Sequence, residues 1–167
     1  KEACEEFVKQ IKIITVGTLK EKYLADSVAE YEKRISGFCK VESVNIKEAK
    51  LPQDPSDGDI RRALDEEAKQ ILAAMPDRAF KVAMCVEGKQ MPSEGMGELI
   101  AARENSGKPR LCFVIGGSFG LADSVKARAD MKLSMSKMTF PHHLARVMLI
   151  EQLYRGFKIN EGSRYHK

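Results

Sequence analysis

The chain has 167 residues, 43% of them hydrophobic and 31% charged, and a net charge of +4. That is one domain's length, enough to bury a core, with the composition of an ordinary globular protein rather than a disordered or fibrous one. No apolar run approaches the roughly 18 residues of a membrane span, and Lys1-Glu-Ala-Cys-Glu-Glu-Phe7 has no basic stretch leading into an apolar one, so a cytoplasmic protein without a membrane partner is expected.

Residues 1–10 read as a polar lead-in, an extension outside the repeating pattern, and residues 11–167 as a single domain. Ile11 to Val16 is a first strand ended by Gly17. Glu21 to Ile35 is a helix, with Tyr23, Leu24, Val28, Tyr31 and Ile35 along one face and Gly37 closing it. Val41 to Ile46 is a second strand. The run 47–58, with Pro52, Asp54, Pro55, Asp57 and Gly58, is a long loop. Asp59 to Met75 is an acidic helix with Ile60, Leu64, Ala68, Ile71 and Leu72 on one face. Phe80 to Val86 is a third strand, and Ser93 is the expected N-cap of a helix over Glu94–Asn105.

Arg110 to Ile115 has the β-branched and aromatic character of a strand buried on both faces. It stops at Gly116-Gly117-Ser118-Phe119-Gly120, which is either a tight strand-to-helix turn or a loop that lets a ligand approach the backbone. In open α/β sheets ligands lie at the carboxyl ends of the strands, where this loop falls. It is neither a Gly-x-Gly-x-x-Gly fingerprint nor a P-loop, since no Gly-Lys-Ser/Thr follows. A short helix near Asp123–Ala129, a strand over Lys132–Met135 and a loop through Pro141 come next. Strands alternating with helices make an α/β fold: a mainly parallel sheet with helices on both faces.

Leu144 to Ile159 is the last helix. Leu144, Val147, Met148, Leu149, Ile150, Leu153, Tyr154 and Phe157 cover more than half its circumference, which marks a core or subunit-interface helix; a homodimer contact is the expectation. Glu151 and Arg155 are spaced to pair along its polar side. The tail Asn160-Glu-Gly-Ser-Arg-Tyr-His-Lys167 either frays or folds over a site.

Charge is uneven. Residues 101–167 carry twelve Lys or Arg against five Asp or Glu, a surplus of +7 that suits a polyanion such as RNA, or a merely solvated basic surface. Cys4, Cys39, Cys85 and Cys112 form no Cys-x-x-Cys pair, so neither a metal site nor a disulfide framework is expected.

Four stretches carry a resemblance: Phe113-Val-Ile-Gly-Gly-Ser-x-Gly-Leu121, Leu133-Ser-x-Ser-Lys-Met-Thr-Phe-Pro-His142, Arg146-Val-x-Leu-Ile-Glu-Gln-x-Tyr-Arg155 and Tyr165-His-Lys167. With Val16-Gly17, Leu19–Tyr23 and Ala29–Arg34 they resemble the RlmH family, bacterial methyltransferases of the SPOUT superfamily acting on N3 of a pseudouridine in large-subunit ribosomal RNA. The resemblance implies a C-terminal trefoil knot, a homodimer, and S-adenosyl-L-methionine as cofactor. Matched by motif, the cofactor residues are Met84, Gly116, Met135, Ser136, Lys137, Met138, Thr139 and Phe140, holding the cofactor largely through main-chain atoms. The chain departs from the pattern at Phe119 and Met135.

The chemistry so implied removes a weakly acidic imide proton, by a positioned base or a cation that stabilises the anion. His142, Arg155, Tyr165 and His166 are the candidates: His166 and Tyr165 facing the substrate, Arg155 stabilising an anion, His142 catalytic or structural. The assembled ribosome is the expected substrate. A non-catalytic RNA- or ribosome-binding module, and a phosphate-binding α/β protein, are the rival readings.

Overall fold

The computed structural model describes residues 10–104 and 106–166; the lead-in 1–9 with Cys4, the expected helix end at Asn105, and Lys167 lie outside them. Strands and helices alternate as β1 (Gln10–Val16), α1 (Lys22–Ile35), β2 (Lys40–Ile46), α2 (Asp57–Ala74), β3 (Ala79–Lys89), α3 (Ser93–Glu104), β4 (Arg110–Ile115), α4 (Asp123–Arg128), β5 (Met131–Leu133) and α5 (His142–Asn160). The five strands form one sheet in the order β2-β1-β4-β3-β5, with every pairing parallel.

The centre of the sheet is apolar on both sides because β1 and β4 must feed two cores. Leu111, Phe113 and Ile115 join Ile11 and Ile13 on the face covered by α1, α3 and α5. Cys112 and Val114 join Ile14 and Val16 on the face covered by α2 and α4. Alternation along each strand divides the side chains between those two layers.

Helix α5 lies on the first face, and Leu149, Ile150, Leu153 and Phe157 are buried there by its own chain. Truncating one such leucine to alanine costs about 2–5 kcal/mol. Much of the apolar surface that suggests a dimer contact is thus satisfied within the chain itself. Apolar side chains outside that core remain at Leu144, 39% exposed, and at half-buried Met148, while Val147 packs against the core.

Several boundaries differ from the sequence reading. Gln10 belongs to β1, where it pairs with Lys40 and Arg110. Helix α2 begins at Asp57, inside the expected loop, because Ser56 and Asp59 form a reciprocal capping box that satisfies two backbone N–H groups. Ser93 starts α3 rather than capping it, and its hydroxyl donates to Gln152 Oε1 at 2.6 Å. Helix α5 takes in His142 and His143 because Pro141, with φ −54°, fits the position before a first turn.

Strand β3 runs on to Lys89, three residues past Val86. Its register against β5 jumps, with Leu133 partnering both Met84 and Lys89. Gly88 makes the return possible: a Cβ there would sit 2.7 Å from the Leu133 backbone. Residues 85–87 bow outward at the sheet's carboxyl edge.

Candidate active site

That bow forms one wall of the main cavity, about 840 Å³ in volume. Four segments enclose it: Met84–Glu87 in the bowed end of β3, Ile115–Leu121 from the last residue of β4, Leu133–Pro141 from the last residue of β5, and the first turn of α5 at His142 and Ala145. All lie at carboxyl ends of strands, where the following helices leave towards opposite faces.

The glycine loop is closed by the bridge between Gly117 and Gly120, with the Gly120 N–H bonded to the Gly117 carbonyl at 3.1 Å. Gly116 has no room for a side chain, since a Cβ would lie 2.4 Å from the Gly120 carbonyl oxygen. Gly120 holds φ +83°, which glycine adopts without strain. Opposite it, the 134–141 loop is fixed by its serines: Ser134 Oγ donates to the Ser136 carbonyl at 2.9 Å, and Ser136 Oγ accepts from the Met138 N–H at 3.1 Å.

Seven of the eight expected cofactor residues line this cavity: Met84, Gly116, Met135, Ser136, Met138, Thr139 and Phe140. Lys137 does not, and its side chain is exposed. Sequence reasoning passed over Glu87 and Lys126, which form an ion pair at the cavity's rim. The hydrogen bond from Lys126 holds the Glu87 carboxyl below its usual range, and Glu87 in turn raises Lys126. The only local sign of Glu87 is its position after an apolar strand; nothing in the sequence announces that α4 brings Lys126 to it.

His142 lines the cavity with its ring centroid 3.9 Å from that of His143. Its Nε2 is buried without a hydrogen-bond partner among the described residues. Burial lowers its pKa first and the neighbouring His143 lowers it further, against an opposing pull from Glu48. A neutral imidazole that accepts a proton or a hydrogen bond is the result.

The other three candidates gather elsewhere. Arg155 donates to Glu151 Oε1 from Nε at 3.0 Å and from Nη2 at 2.6 Å, and its guanidinium lies 4.8 Å over the Tyr165 ring. Tyr165 Oη donates to the same Glu151 oxygen at 3.3 Å, and His166 joins Arg155 through Nδ1 at 3.3 Å and Glu94 through Nε2 at 2.7 Å. Burial pushes the Tyr165 phenol up to about 12, which leaves it a hydrogen-bond donor at neutral pH. The tail therefore folds back on α5 and α3. Arg155 stands 13 residues beyond His142 on α5, about 20 Å along the helix axis. The chain brings His142 to the cavity and keeps Arg155, Tyr165 and His166 together, away from it.

Among the described residues no three metal-capable side chains converge, and no helix is long and apolar enough to cross a membrane.

A family described as "Predicted SPOUT methyltransferase" matches residues 9–166. The chain is 47% identical over 158 residues to Ribosomal RNA large subunit methyltransferase H of Streptococcus sanguinis (strain SK36), a match spanning 95% of this chain and 99% of that protein. The protein of the same name from Bacillus pumilus (strain SAFR-032) is 45% identical over 157 residues, with 94% and 99% covered. In fold the chain is similar to a probable methyltransferase from Bordetella pertussis Tohama I, with TM-score 0.55, 13% identity, and 89% and 95% of the two chains covered. A probable methylase family protein from Haemophilus influenzae Rd KW20 aligns with TM-score 0.53 and 14% identity, over 96% and 71%.

Proposed function

Since the chain belongs to the SPOUT methyltransferase family, we propose that its main cavity binds S-adenosyl-L-methionine and that it methylates N3 of a pseudouridine in large-subunit ribosomal RNA, on the assembled ribosome. The carrying observation is the cavity at the ends of β3, β4 and β5, enclosed by the glycine loop and the serine-fixed 134–141 loop. Its residues fit the cofactor. Met84, Ile115, Leu121 and Leu133 offer an apolar wall for an adenine ring, while the glycine loop exposes main chain to polar groups. Bound there, the cofactor would supply an electrophilic methyl group on a sulfonium.

The chain's own task is placement and proton handling. The acceptor imide must give up its proton, to the unpartnered His142 Nε2 or to a group brought in from outside the protomer. Such a group has a source. The Arg155–Tyr165–His166 cluster is preformed and remote from its own cavity, which supports a homodimer in which each tail serves the partner's site, with Leu144 and Met148 as the apolar contact. The strand order, with β4 between β1 and β3 and β5 outside β3, supports threading of the C-terminal part as a trefoil knot. A ribosomal substrate puts the site of action in the cytoplasm.

The test is transfer of labelled methyl from S-adenosyl-L-methionine into ribosomes lacking the modification, followed by nucleoside analysis. Label in N3-methylpseudouridine is expected. Cofactor binding by calorimetry with no transfer would overturn the activity and keep the cavity assignment; absence of both would overturn both.

A further inference from the structure

A second cleft of about 430 Å³ opens beside the main cavity, at the carboxyl ends of β1 and β2. Thr18, Lys20, Asn45, Lys47, Glu48 and His143 line much of it, so its character is polar where the main cavity is largely apolar. The wall between the two is thin. A Cβ on Gly17, which holds φ +90°, would lie 3.4 Å from His142 Nε2 on the cavity side, 3.7 Å from the His143 ring and 4.0 Å from Glu48 Oε2 on the cleft side. A Cβ on Gly117, a cavity residue, would lie 3.5 Å from Glu48 Oε1. Two glycines thus bring a carboxylate and an imidazole pair to the boundary of both spaces.

Asn45 is taken up by Arg146, whose Nη1 donates to its Oδ1, but the charged groups of the cleft are uncommitted. Lys20, Lys47 and Glu48 make no ion pair among the described residues, although Lys22, Lys126 and Lys158 each have one. His143 Nδ1 is buried with no hydrogen-bond partner there. Two free ammonium groups suit the phosphates on either side of a nucleotide, and each contact would release counterions. A carboxylate acceptor suits the imide N–H of a uracil-type base, which offers a donor flanked by carbonyls.

We propose that this cleft is the acceptor-nucleotide site: Lys20 and Lys47 take the RNA phosphates, and Glu48 accepts a hydrogen bond from the imide N–H, turning that nitrogen towards the main cavity. The assignment rests on the methyltransferase reading above, which names the acceptor's class and leaves its place on the protein open.

The experiment uses unmodified large ribosomal subunits and full-length chains carrying Lys20→Ala with Lys47→Ala, Glu48→Gln, or Lys69→Ala on the exposed side of α2 as control. The double variant is expected to raise KM for subunits about ten-fold and to flatten the salt dependence by about two in log–log slope, with kcat and calorimetric S-adenosyl-L-methionine affinity unchanged. Glu48→Gln is expected to slow single-turnover transfer at saturating subunits while donor affinity and melting temperature hold. KM and salt slope equal to those of Lys69→Ala would overturn the phosphate assignment, and an unchanged single-turnover rate in Glu48→Gln would overturn the orienting role of Glu48. Failure of the unsubstituted chain to transfer methyl would remove the underlying reading and this site with it.

Discussion

Arg146 makes its one hydrogen bond among the described residues to Asn45, Nη1 to Oδ1 at 2.9 Å, from a position only 6% exposed. Its Nε is buried without a partner, and burial lowers its pKa against a weaker opposing effect from Glu32. A buried guanidinium held by a neutral amide is under-compensated. Asn45→Asp should therefore raise stability by giving the charge a partner. Asn45→Ala should lower it by about 1–3 kcal/mol, because the donor is then left with none. Urea unfolding of the two variants reads both effects; a destabilised Asn45→Asp would show that the amide geometry matters more than the charge.

Gly116 and Gly120 face each other across the glycine loop, and their substitution should differ in kind. A Cβ at Gly116 collides with the Gly120 backbone at 2.4 Å and cannot be relieved by a rotamer change. Gly116→Ala should open the Gly117–Gly120 bridge and weaken S-adenosyl-L-methionine binding more than about ten-fold, a loss of roughly 1.4 kcal/mol or more. A Cβ at Gly120 meets nothing within 4 Å, and only φ +83° resists it. Gly120→Ala should cost about 1–2 kcal/mol of stability and leave binding closer to normal. Calorimetry beside thermal unfolding separates the two.

Much of the fold is legible in the chain, and what escapes has physical reasons. Leu111–Ile115 and Ile11–Val16 read as strands because both their faces are apolar, as a central parallel strand requires. The cavity's glycine and serine loops follow from where those strands stop. The start of α2 is missed through Pro55 and Gly58, although Ser56 and Asp59 have capping spacing in plain view. The end of β3 is missed because Glu87-Gly88-Lys89 is polar and its pairing depends on Gly88 passing tightly over Leu133. Apolar periodicity in α5 cannot distinguish packing on α1 and α3 from packing on a second chain. The second cleft joins Lys20, Lys47 and His143, which are far apart in sequence, so only the fold reveals it.

The tail cluster yields a complementation test of the dimer. If Tyr165 and His166 serve the partner's cavity, then Gly116→Ala and His166→Ala chains should each be nearly inactive alone when S-adenosyl-L-methionine is held well below the weakened affinity of Gly116→Ala. Mixed and re-equilibrated, they should regain transfer, because half of the sites in a mixed dimer pair an intact cavity with an intact tail. A mixture as inactive as its components, with mixed dimers shown by mass, would place each tail's function on its own protomer.

The capping box at the start of α2 should contribute to stability and not to transfer. Ser56→Ala removes the acceptor for the Asp59 N–H at 3.1 Å and should cost about 1 kcal/mol. Hydrogen bonds from the Ser56 N–H and hydroxyl hold the Asp59 carboxyl below its usual range. A depressed carboxylate stabilises the fold above its unfolded pKa, and that contribution fades as pH falls through the folded one. Ser56→Ala should show a shallower loss of stability on acidification, with methyl transfer unchanged.

His142 sets the opposite kind of group on the same acid side of neutrality. Burial and the neighbouring His143 lower its pKa from the ordinary 6.5, with Glu48 pulling the other way. The unfolded chain then takes up the proton before the folded one does. Between the folded pKa and 6.5 the unfolded state binds more protons, so stability rises with pH across that window and levels off above it. His142→Gln abolishes the titration and should flatten this part of the profile, measured by urea unfolding from pH 5 to pH 8. The same variant should reduce transfer at neutral pH, because it removes the imidazole that lines the cavity with an unpartnered Nε2. An unchanged stability profile would mean that His142 titrates alike in both states, and that the pair with His143 does not hold it neutral.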